Sequence, residues 1–202
     1  MVLADRAECR RILREENLAL MCGYMLMHFI ASEGNPLNFL KERPIKLEIR
    51  DMRPEDTSGK GDVHYTSWQE TYSGLVDGDY LAQMSPEKCR DIARKWPENT
   101  LVAALDGKIV GFACYGKNDA GGNEIYALYV LKQAQGLGIG RKLMNAAIKK
   151  LGNEAPVSLW VLAGNDHAIG FYEHYGFRLD GARQEILLGT TNTELRMVLR
   201  RR

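Results

Sequence analysis

The stretch Gln135-Gly136-Leu137-Gly138-Ile139-Gly140-Arg141 stands between a predicted β-strand and a predicted amphipathic helix. Its glycines let the backbone turn tightly and expose N–H groups, and the start of a helix adds the positive end of a dipole. Such a loop favours an anion, above all a phosphate or pyrophosphate. Arg141 and Lys142 fall in the first helical turn, where cations are unfavourable unless an anion faces them. The stretch therefore predicts an anion-binding loop, with a glycine-rich turn that binds nothing as the alternative.

Two common phosphate-binding motifs do not match this loop. A Walker A loop ends in Gly-Lys-Ser or Gly-Lys-Thr, whereas this chain reads Gly140-Arg141-Lys142. The dinucleotide fingerprint G-x-G-x-x-G would place its last glycine where Arg141 stands. The loop is therefore neither a nucleoside-triphosphate loop nor a Rossmann dinucleotide loop.

The elements around the loop predict an α+β chain. Asp106-Gly107 joins two apolar runs, a strong signal for a β-hairpin because both turn residues favour positive φ. Ser85-Pro86-Glu87 is a typical helix start, with an N-cap residue, a first-turn proline and an early acid. The predicted strands are 46–50, 100–105, 108–115, 124–130, 156–162 and 195–199. The predicted helices are 62–72, 85–95, 141–151 and 166–175, the last closed by Gly176.

Composition and charge limit the class of protein. The 202 residues are 45% hydrophobic and 26% charged, which excludes disorder, collagen and coiled coil for the whole chain. With 27 basic and 26 acidic residues, the chain has no overall electrostatic field that would favour binding to nucleic acid or to an anionic membrane surface. The four cysteines are scattered without a CxxC pair, so we expect no metal cluster and a reducing, cytoplasmic location. The apolar run 18–30 is too short to span a bilayer.

The first part of the chain differs from the rest. Residues 1–44 read as a helical N-terminal extension that Gly34, Asn35 and Pro36 interrupt and Pro44 ends. From residue 45 to 202, strands and helices follow one another as one domain. We expect the extension to form a homodimer contact or to cover the core.

Two motifs resemble those of a known family. Gln135-x-x-Gly138-x-Gly140 is similar to the acetyl-CoA-binding motif of the GCN5-related N-acetyltransferases, the GNAT family. Asn165-x-x-Ala168-x-x-Phe171-Tyr172-x-x-x-Gly176-Phe177 resembles a second recurrent signature of that family. The resemblance covers residues 45–199. It implies a mixed, mostly antiparallel central sheet flanked by helices, in which the fourth strand splays from the fifth and acetyl-CoA lies between them.

The resemblance also implies residues that hold acetyl-CoA. The backbone of Leu128, Tyr129 and Val130 would bind the pantetheine arm and the thioester carbonyl, although Leu128 and Val130 also suit an ordinary sheet core. Asn165 would contact the cofactor or only cap its helix. The amides of the loop would hold the pyrophosphate, and Gln135 takes a position where the family has Arg or Gln. The loop residues implied are Gly136, Leu137, Gly138, Ile139, Gly140 and Arg141.

Tyr172 and Glu124 are the catalytic candidates that the resemblance implies. A protonated phenol at Tyr172 would give its proton to the leaving thiolate, and the alternative is an aromatic core residue. Glu124 would accept the proton of the amine, directly or through water, and the alternative is a solvated carboxylate at a strand end. His167 and His174 read as surface residues.

The acceptor is least defined by the sequence. Trp68 and Tyr72 share a helix face, in the helical region that in the GNAT family usually forms one wall of the acceptor site. Glu70 in the same region would attract an ammonium group of the acceptor. The alternative for Trp68 and Tyr72 is ordinary core packing. We predict an N-acetyltransferase that moves an acetyl group directly to a primary amine of a small molecule or peptide. The alternatives are a non-catalytic acyl-CoA sensor on the same fold, and a nucleic-acid-binding accessory protein. The latter would use Arg141, Lys142, Lys149 and Lys150.

Overall fold

The computed structural model describes residues 45–152 and 155–200, all but Ile45 within the unit Lys46–Arg202. The predicted helical extension over residues 1–44 and its role lie outside these residues. The strands are β1 Leu47–Asp51, β2 Thr100–Leu105, β3 Lys108–Lys117, β4 Asn123–Val130, β5 Val157–Leu162, β6 Arg178–Leu188 and β7 Thr190–Leu199. The helices are α1 Thr57–Tyr72, α2 Gly78–Ala82, α3 Pro86–Lys95, α4 Ile139–Leu151 and α5 Asp166–Tyr175, with 3₁₀ turns at Pro54–Asp56 and Lys132–Ala134.

The strands form one seven-stranded sheet in the order β1-β2-β3-β4-β5-β7-β6. Every neighbouring pair is antiparallel except β4 and β5, which run parallel. A parallel pair needs a crossover connection, and here α4 supplies it. The predicted fold class, a mixed and mostly antiparallel sheet flanked by helices, is confirmed.

Helices pack on both faces of the sheet. Phe112 on β3 packs with Val63 of α1 and Val102 of β2 in a buried cluster. On the preceding residue of β3, Gly111, an ideal Cβ would lie 3.3 Å from Leu143 of α4. Because successive residues of a strand point to opposite faces, α1 and α4 cover opposite sides of the central strands.

Most predicted elements are present with small shifts at their ends. The Asp106-Gly107 turn has positive φ at both residues, 48° and 83°. Ser85 caps α3 by accepting a hydrogen bond from Lys88 N at 3.2 Å. The predicted apolar face of α4 is buried through Leu143, Met144 and Ala147.

Two elements were missed by the sequence analysis. The short helix α2 and the edge strand β6 gave no clear pattern. In β6 the pairing register with β7 shifts between Leu179 and Arg183, around Gly181, which has φ of 90°. That shift breaks the alternation of apolar and polar residues on which a strand prediction depends. Strand β7 also begins at Thr190, earlier than the predicted Leu195.

Candidate active site

A cleft opens between β4 and β5. The two strands pair only where Asn123–Ile125 lie beside Val157–Leu159, and β5 then continues along β7 to Leu162. The rest of β4 is paired with β3 alone, through partners that include Leu128↔Ala113 and Val130↔Gly111. Tyr126 is the extra residue of a bulge, because Cys114 pairs with Ala127 and Tyr115 with Ile125. The edge of β4 that faces β5 therefore offers backbone N–H and C=O groups to an extended ligand.

The glycine loop follows β4 at the end of this cleft. Gly136 and Gly138 have φ of 77° and 71°, a conformation that other residues adopt with strain. An ideal Cβ on either would meet no atom within 4 Å, so the side of the loop that a Cβ would occupy is open. Gly138 is the N-cap of α4, and the first amides of a helix have no partner within it. The loop thus has an accessible backbone and unpaired N–H donors at the start of α4, which are the features that bind a pyrophosphate.

Gln135 and Arg141 flank this loop. The Gln135 side chain donates from Nε2 to the Val130 carbonyl oxygen at 3.1 Å, which ties the loop to the end of β4. Arg141 and Lys142 are exposed in the first turn of α4. Their charges oppose the helix dipole there, and a bound anion would compensate them.

Three tyrosines, Tyr72, Tyr129 and Tyr172, lie near one another beside the cleft, and the first two are hydrogen-bonded. The Tyr72 hydroxyl of α1 lies 3.1 Å from the Tyr129 hydroxyl of β4. Burial is the main cause that raises the pKa of Tyr172, and the Tyr72 phenol adds to it. Burial likewise raises the pKa of Tyr129 well above its usual range, with contributions from Tyr72 and Tyr172. All three phenols therefore stay protonated at neutral pH.

Aromatic rings hold this tyrosine cluster. Trp68 packs edge-on against Tyr72 with ring centroids 5.0 Å apart. Tyr172 lies against Phe171 at 5.4 Å and Phe177 at 5.9 Å. The indole Nε1 of Trp68 is buried without a regular hydrogen bond to the described residues, although it lies close enough to the Tyr129 hydroxyl to oppose the rise in its pKa. Trp68 and Tyr72 thus pack on β4.

Comparison with known proteins agrees with this geometry. The acetyltransferase (GNAT) family model matches residues 63–177, more than half of the 202 residues. The chain belongs to the GNAT acetyltransferase family. It is 33% identical over 149 residues to an uncharacterised N-acetyltransferase of Archaeoglobus fulgidus, covering 65% of this chain and 93% of that protein. The predicted family is confirmed.

Further similar proteins carry the same family name or fold. A protein of Mycobacterium tuberculosis named "Probable N-acetyltransferase" is 29% identical over 148 residues, covering 69% of this chain and 84% of that one. The crystal structure of a PaiA N-acetyltransferase from Thermoplasma acidophilum in complex with coenzyme A shares the fold, with a TM-score of 0.60 and 22% identity. The alignment covers 75% of this chain and 98% of that GNAT structure.

The two polar residues predicted from the GNAT motifs lie in different parts of the site. Asn165 caps α5, because its Oδ1 accepts a hydrogen bond from Ala168 N at 3.2 Å. The structure thus shows the capping role, and a cofactor contact stays a prediction. Glu124 stands in the parallel part of β4, where Ser158 Oγ lies 3.5 Å from its Oε2. Glu124 is therefore next to the point where the cleft begins.

Two basic residues of α1, the buried Lys60 and the half-buried His64, were missed by the sequence analysis. His64 stands one turn before Trp68, among the rings of Trp68, Phe112 and Tyr129 at 5.7 to 5.9 Å. Burial, with the nearby Lys60 charge, lowers its pKa to about 4. The Lys60 ammonium lies 4.6 Å from the centroid of Phe112, and burial lowers its pKa too. The i, i+4, i+8 spacing of these residues with Trp68 would have placed them on one helix face.

Other predicted candidates have simpler surroundings. Glu70 accepts a hydrogen bond from Lys132 N at 2.9 Å, so its carboxylate anchors the 3₁₀ turn that follows β4 instead of standing free for an ammonium. His167 and His174 are exposed on α5. In the part of the chain that the structure describes, no helix is long and apolar enough to cross a membrane. Nor do the described residues include a group of three His, Cys, Asp or Glu side chains able to hold a metal ion.

Proposed function

We propose that this GNAT protein is an acetyl-CoA-dependent N-acetyltransferase that transfers the acetyl group directly to a primary amine. The observation that carries the proposal is the cleft between β4 and β5, which opens onto the glycine loop. One ligand with an extended arm and a pyrophosphate fits both features, because the arm needs backbone partners and the pyrophosphate needs free amides.

The residues of the cleft and loop would hold acetyl-CoA. The backbone of Leu128, Tyr129 and Val130 would bind the extended arm, and the amides of residues 136–141 the pyrophosphate. When bound, acetyl-CoA supplies an acetyl thioester whose carbonyl accepts an amine and whose sulfur departs as a thiolate. Backbone N–H groups of β4 aimed at that carbonyl would stabilise its developing negative charge.

Tyr172 is the proposed general acid. Its buried phenol keeps its proton at neutral pH, because burial and the Tyr72 phenol raise its pKa. A thiolate is a stronger base when it is desolvated, so the Tyr172 hydroxyl can donate its proton to the departing sulfur. The ring of Tyr172 packs edge-on against Phe171 and Phe177, which would restrict the orientation of its hydroxyl.

Glu124 is the proposed base. An ammonium has no lone pair, so the acceptor must lose a proton before it attacks. Glu124 stands next to the point where the cleft begins, and the Ser158 hydroxyl near its carboxylate also donates a hydrogen bond to the Asn123 carbonyl at 3.2 Å. This position allows Glu124 to take the proton through a water molecule.

Trp68 and Tyr72 are proposed to form one wall of the acceptor site. The Tyr72 hydroxyl lies 3.1 Å from the Tyr129 hydroxyl of β4, and Trp68 packs on Tyr72, on the side of the sheet that α1 covers. The acceptor is a small molecule or peptide with a primary amine.

An acceptor screen tests the proposal. The protein is incubated with acetyl-CoA and each of a panel of polyamines, amino acids, aminoglycosides and peptide N-termini, and free thiol and acetylated product are both measured. The proposal expects one thiol released for each acetylated amine. CoA binding without transfer to any amine would instead identify a non-catalytic sensor.

A further inference from the structure

Two aromatic residues stand at the point where the cleft begins. Ile125 of β4 and Leu159 of β5 form the last pair of the parallel stretch. The next residue on each strand is aromatic, Tyr126 on β4 and Trp160 on β5. The two residues therefore lie on opposite sides of the opening, at corresponding positions of the two strands.

Trp160 points to the side of the sheet that carries α1. Phe112 of β3 packs with α1, and Gly116, at an even spacing along the same strand, shares that side and pairs with Glu124 on β4. Glu124 pairs in turn with Ser158 of β5, and the Ser158 Oγ lies 3.5 Å from the Glu124 carboxylate. Because Trp160 comes two residues after Ser158, its indole lies on this same side.

Tyr126 turns its ring to this side as well. An ideal Cβ on Gly116 would lie 2.6 Å from the Tyr126 hydroxyl oxygen, so the ring covers Gly116 on the α1 side of the sheet. The hydroxyl donates a hydrogen bond to the Lys117 carbonyl oxygen at 2.5 Å, which holds the ring in this position. The residue is nevertheless 53% exposed. Tyr126 thus offers an anchored aromatic surface to a ligand.

Trp160 is supported by the strand on its other side. It pairs with Arg196 of β7, whose guanidinium carbon lies 5.8 Å from the centroid of the tryptophan ring. A cation at this distance from an aromatic ring is attracted to it. Arg196 Nη2 and Nε lie 2.7 Å and 2.9 Å from Asp180 Oδ2, so these two charges compensate each other. An ion pair thus supports Trp160 on the β7 side, and the half-buried residue keeps its contact with solvent.

The position of the two rings suits the body of the acceptor. In the proposed function the amine reacts between Glu124 and a thioester bound beside residues 128–130, and Tyr126 lies between these points on β4. Aromatic rings bury apolar area, and other aromatic groups pack well against them. A charged group at the same place would lose water without gaining an unpaired partner, since Arg196 and Asp180 already bind each other.

We propose that Tyr126 and Trp160 bind the apolar body of the acceptor, so that the acceptor is an amine joined by a short chain to an aromatic ring. This inference rests on the proposed function. The amine would enter the opening next to Glu124, and the aromatic ring of the acceptor would pack on the two side chains. A short aliphatic amine would reach the thioester without filling this site.

Matched acceptors test this assignment. The values of kcat and KM are measured for 2-phenylethylamine and 1-aminopropane, which present a primary amine with and without a ring. We expect kcat/KM to be higher for 2-phenylethylamine by at least about tenfold, because binding the ring buries apolar area. Trp160→Thr and Tyr126→Thr each remove one ring and keep a residue that suits a strand, and each should raise the KM for 2-phenylethylamine by about tenfold. The KM for 1-aminopropane should stay within about twofold.

A control variant and a binding measurement complete the test. Trp96→Thr removes a tryptophan that is 55% exposed at the end of α3, and it should change neither KM. Calorimetric titration of the CoA-loaded protein with 2-phenylethylamine measures binding without reaction, and the affinity should fall about tenfold in Trp160→Thr and in Tyr126→Thr.

The outcomes separate the inference from the proposed function. Equal affinity for 2-phenylethylamine in the wild type and both variants, or an equal rise of both KM values, would overturn the inference. Transfer to both amines with equal kcat/KM would overturn it and leave the proposed function intact. Binding that depends on Tyr126 and Trp160, without acetyl transfer to any amine, would support the inference and reject the proposed function.

Discussion

The Tyr72 hydroxyl lies 3.1 Å from the Tyr129 hydroxyl and joins α1 to β4 beside the cleft. Both residues are half-buried, and burial is the main cause that raises the pKa of each phenol. Since a buried hydroxyl left without its partner loses a hydrogen bond that water cannot replace, this pair stabilises the contact between α1 and β4.

A double-mutant cycle measures that contact. Tyr72→Phe and Tyr129→Phe should each lower the free energy of unfolding by about 1–3 kcal/mol. The double variant should lose at least about 0.5 kcal/mol less than the sum, because the second change removes a group already unpaired. Urea unfolding gives all three values. As a control, Tyr65→Phe on the same helix should change stability by less than about 0.5 kcal/mol. Additive losses would show that the two hydroxyls are not coupled.

The role of Tyr172 is tested by removing its hydroxyl alone. Tyr172→Phe should lower kcat by about 10²- to 10⁴-fold, because the departing thiolate loses its proton donor. CoA affinity should stay within about twofold, since the ring and its packing remain. The matched control is Tyr175→Phe on the same helix, whose hydroxyl donates to Asn145 Oδ1 away from the tyrosine cluster. Loss of kcat in Tyr175→Phe of equal size would argue against an acid role specific to Tyr172.

The glycine loop is tested by adding one methyl group. At Gly138, with φ of 71°, alanine costs about 1–2 kcal/mol of backbone strain. The same methyl group points to the open side of the loop, so CoA affinity should fall at least about tenfold. Gly170→Ala is the control, because Gly170 lies in α5 with open space around it, and alanine there should stabilise the helix by about 0.5–1 kcal/mol. Unchanged CoA affinity in Gly138→Ala would contradict the assignment of this loop.

His64 predicts a pH dependence of stability. Its pKa is about 4 in the folded protein, because of burial and then the Lys60 charge, against 6.5 for an ordinary histidine. Between these values the unfolded chain binds a proton that the folded chain does not, so stability is full above the upper value and falls as pH drops towards the lower one. The slope attributable to one proton is about 1.4 kcal/mol per pH unit.

His64→Phe provides the comparison. Urea unfolding of the wild type and of the variant is measured between pH 4 and 6.5. The free energy of unfolding should change less steeply with pH in the variant, by up to about 1.4 kcal/mol per pH unit, which is the contribution of one proton. The slope is compared, and not the absolute stability, because the variant also changes packing against Trp68. Identical slopes would mean that His64 is protonated in the folded protein or is not buried as described.

Much of the fold could be predicted because its signals are local. The Asp106-Gly107 turn, the Ser85 cap and the apolar face of α4 each depend on residues close in sequence, and all three are present. Strand β6 was missed because its register shift around Gly181 is set by pairing with β7 and not by its own pattern.

The candidate site also contains some parts that local sequence motifs predict and other parts that only tertiary packing creates. The glycine loop and the position of Tyr172 follow from motifs that are continuous in the chain. The hydrogen bond between Tyr72 and Tyr129 joins residues from different elements, and only the packing of α1 on β4 brings them together. The helical spacing of His64 with Trp68 indicates a shared helix face, whereas its contacts with Phe112 and Tyr129 come from other strands and depend on the tertiary packing.

Hydrogen–deuterium exchange of the backbone amides, with and without CoA, tests the central claim most directly. CoA is proposed to lie along the free edge of β4 and on the glycine loop, so exchange should slow at residues 128–130 and 136–141. The β6–β7 hairpin, which is away from the loop, should change little. Slowed exchange elsewhere with no change at residues 136–141 would contradict the account.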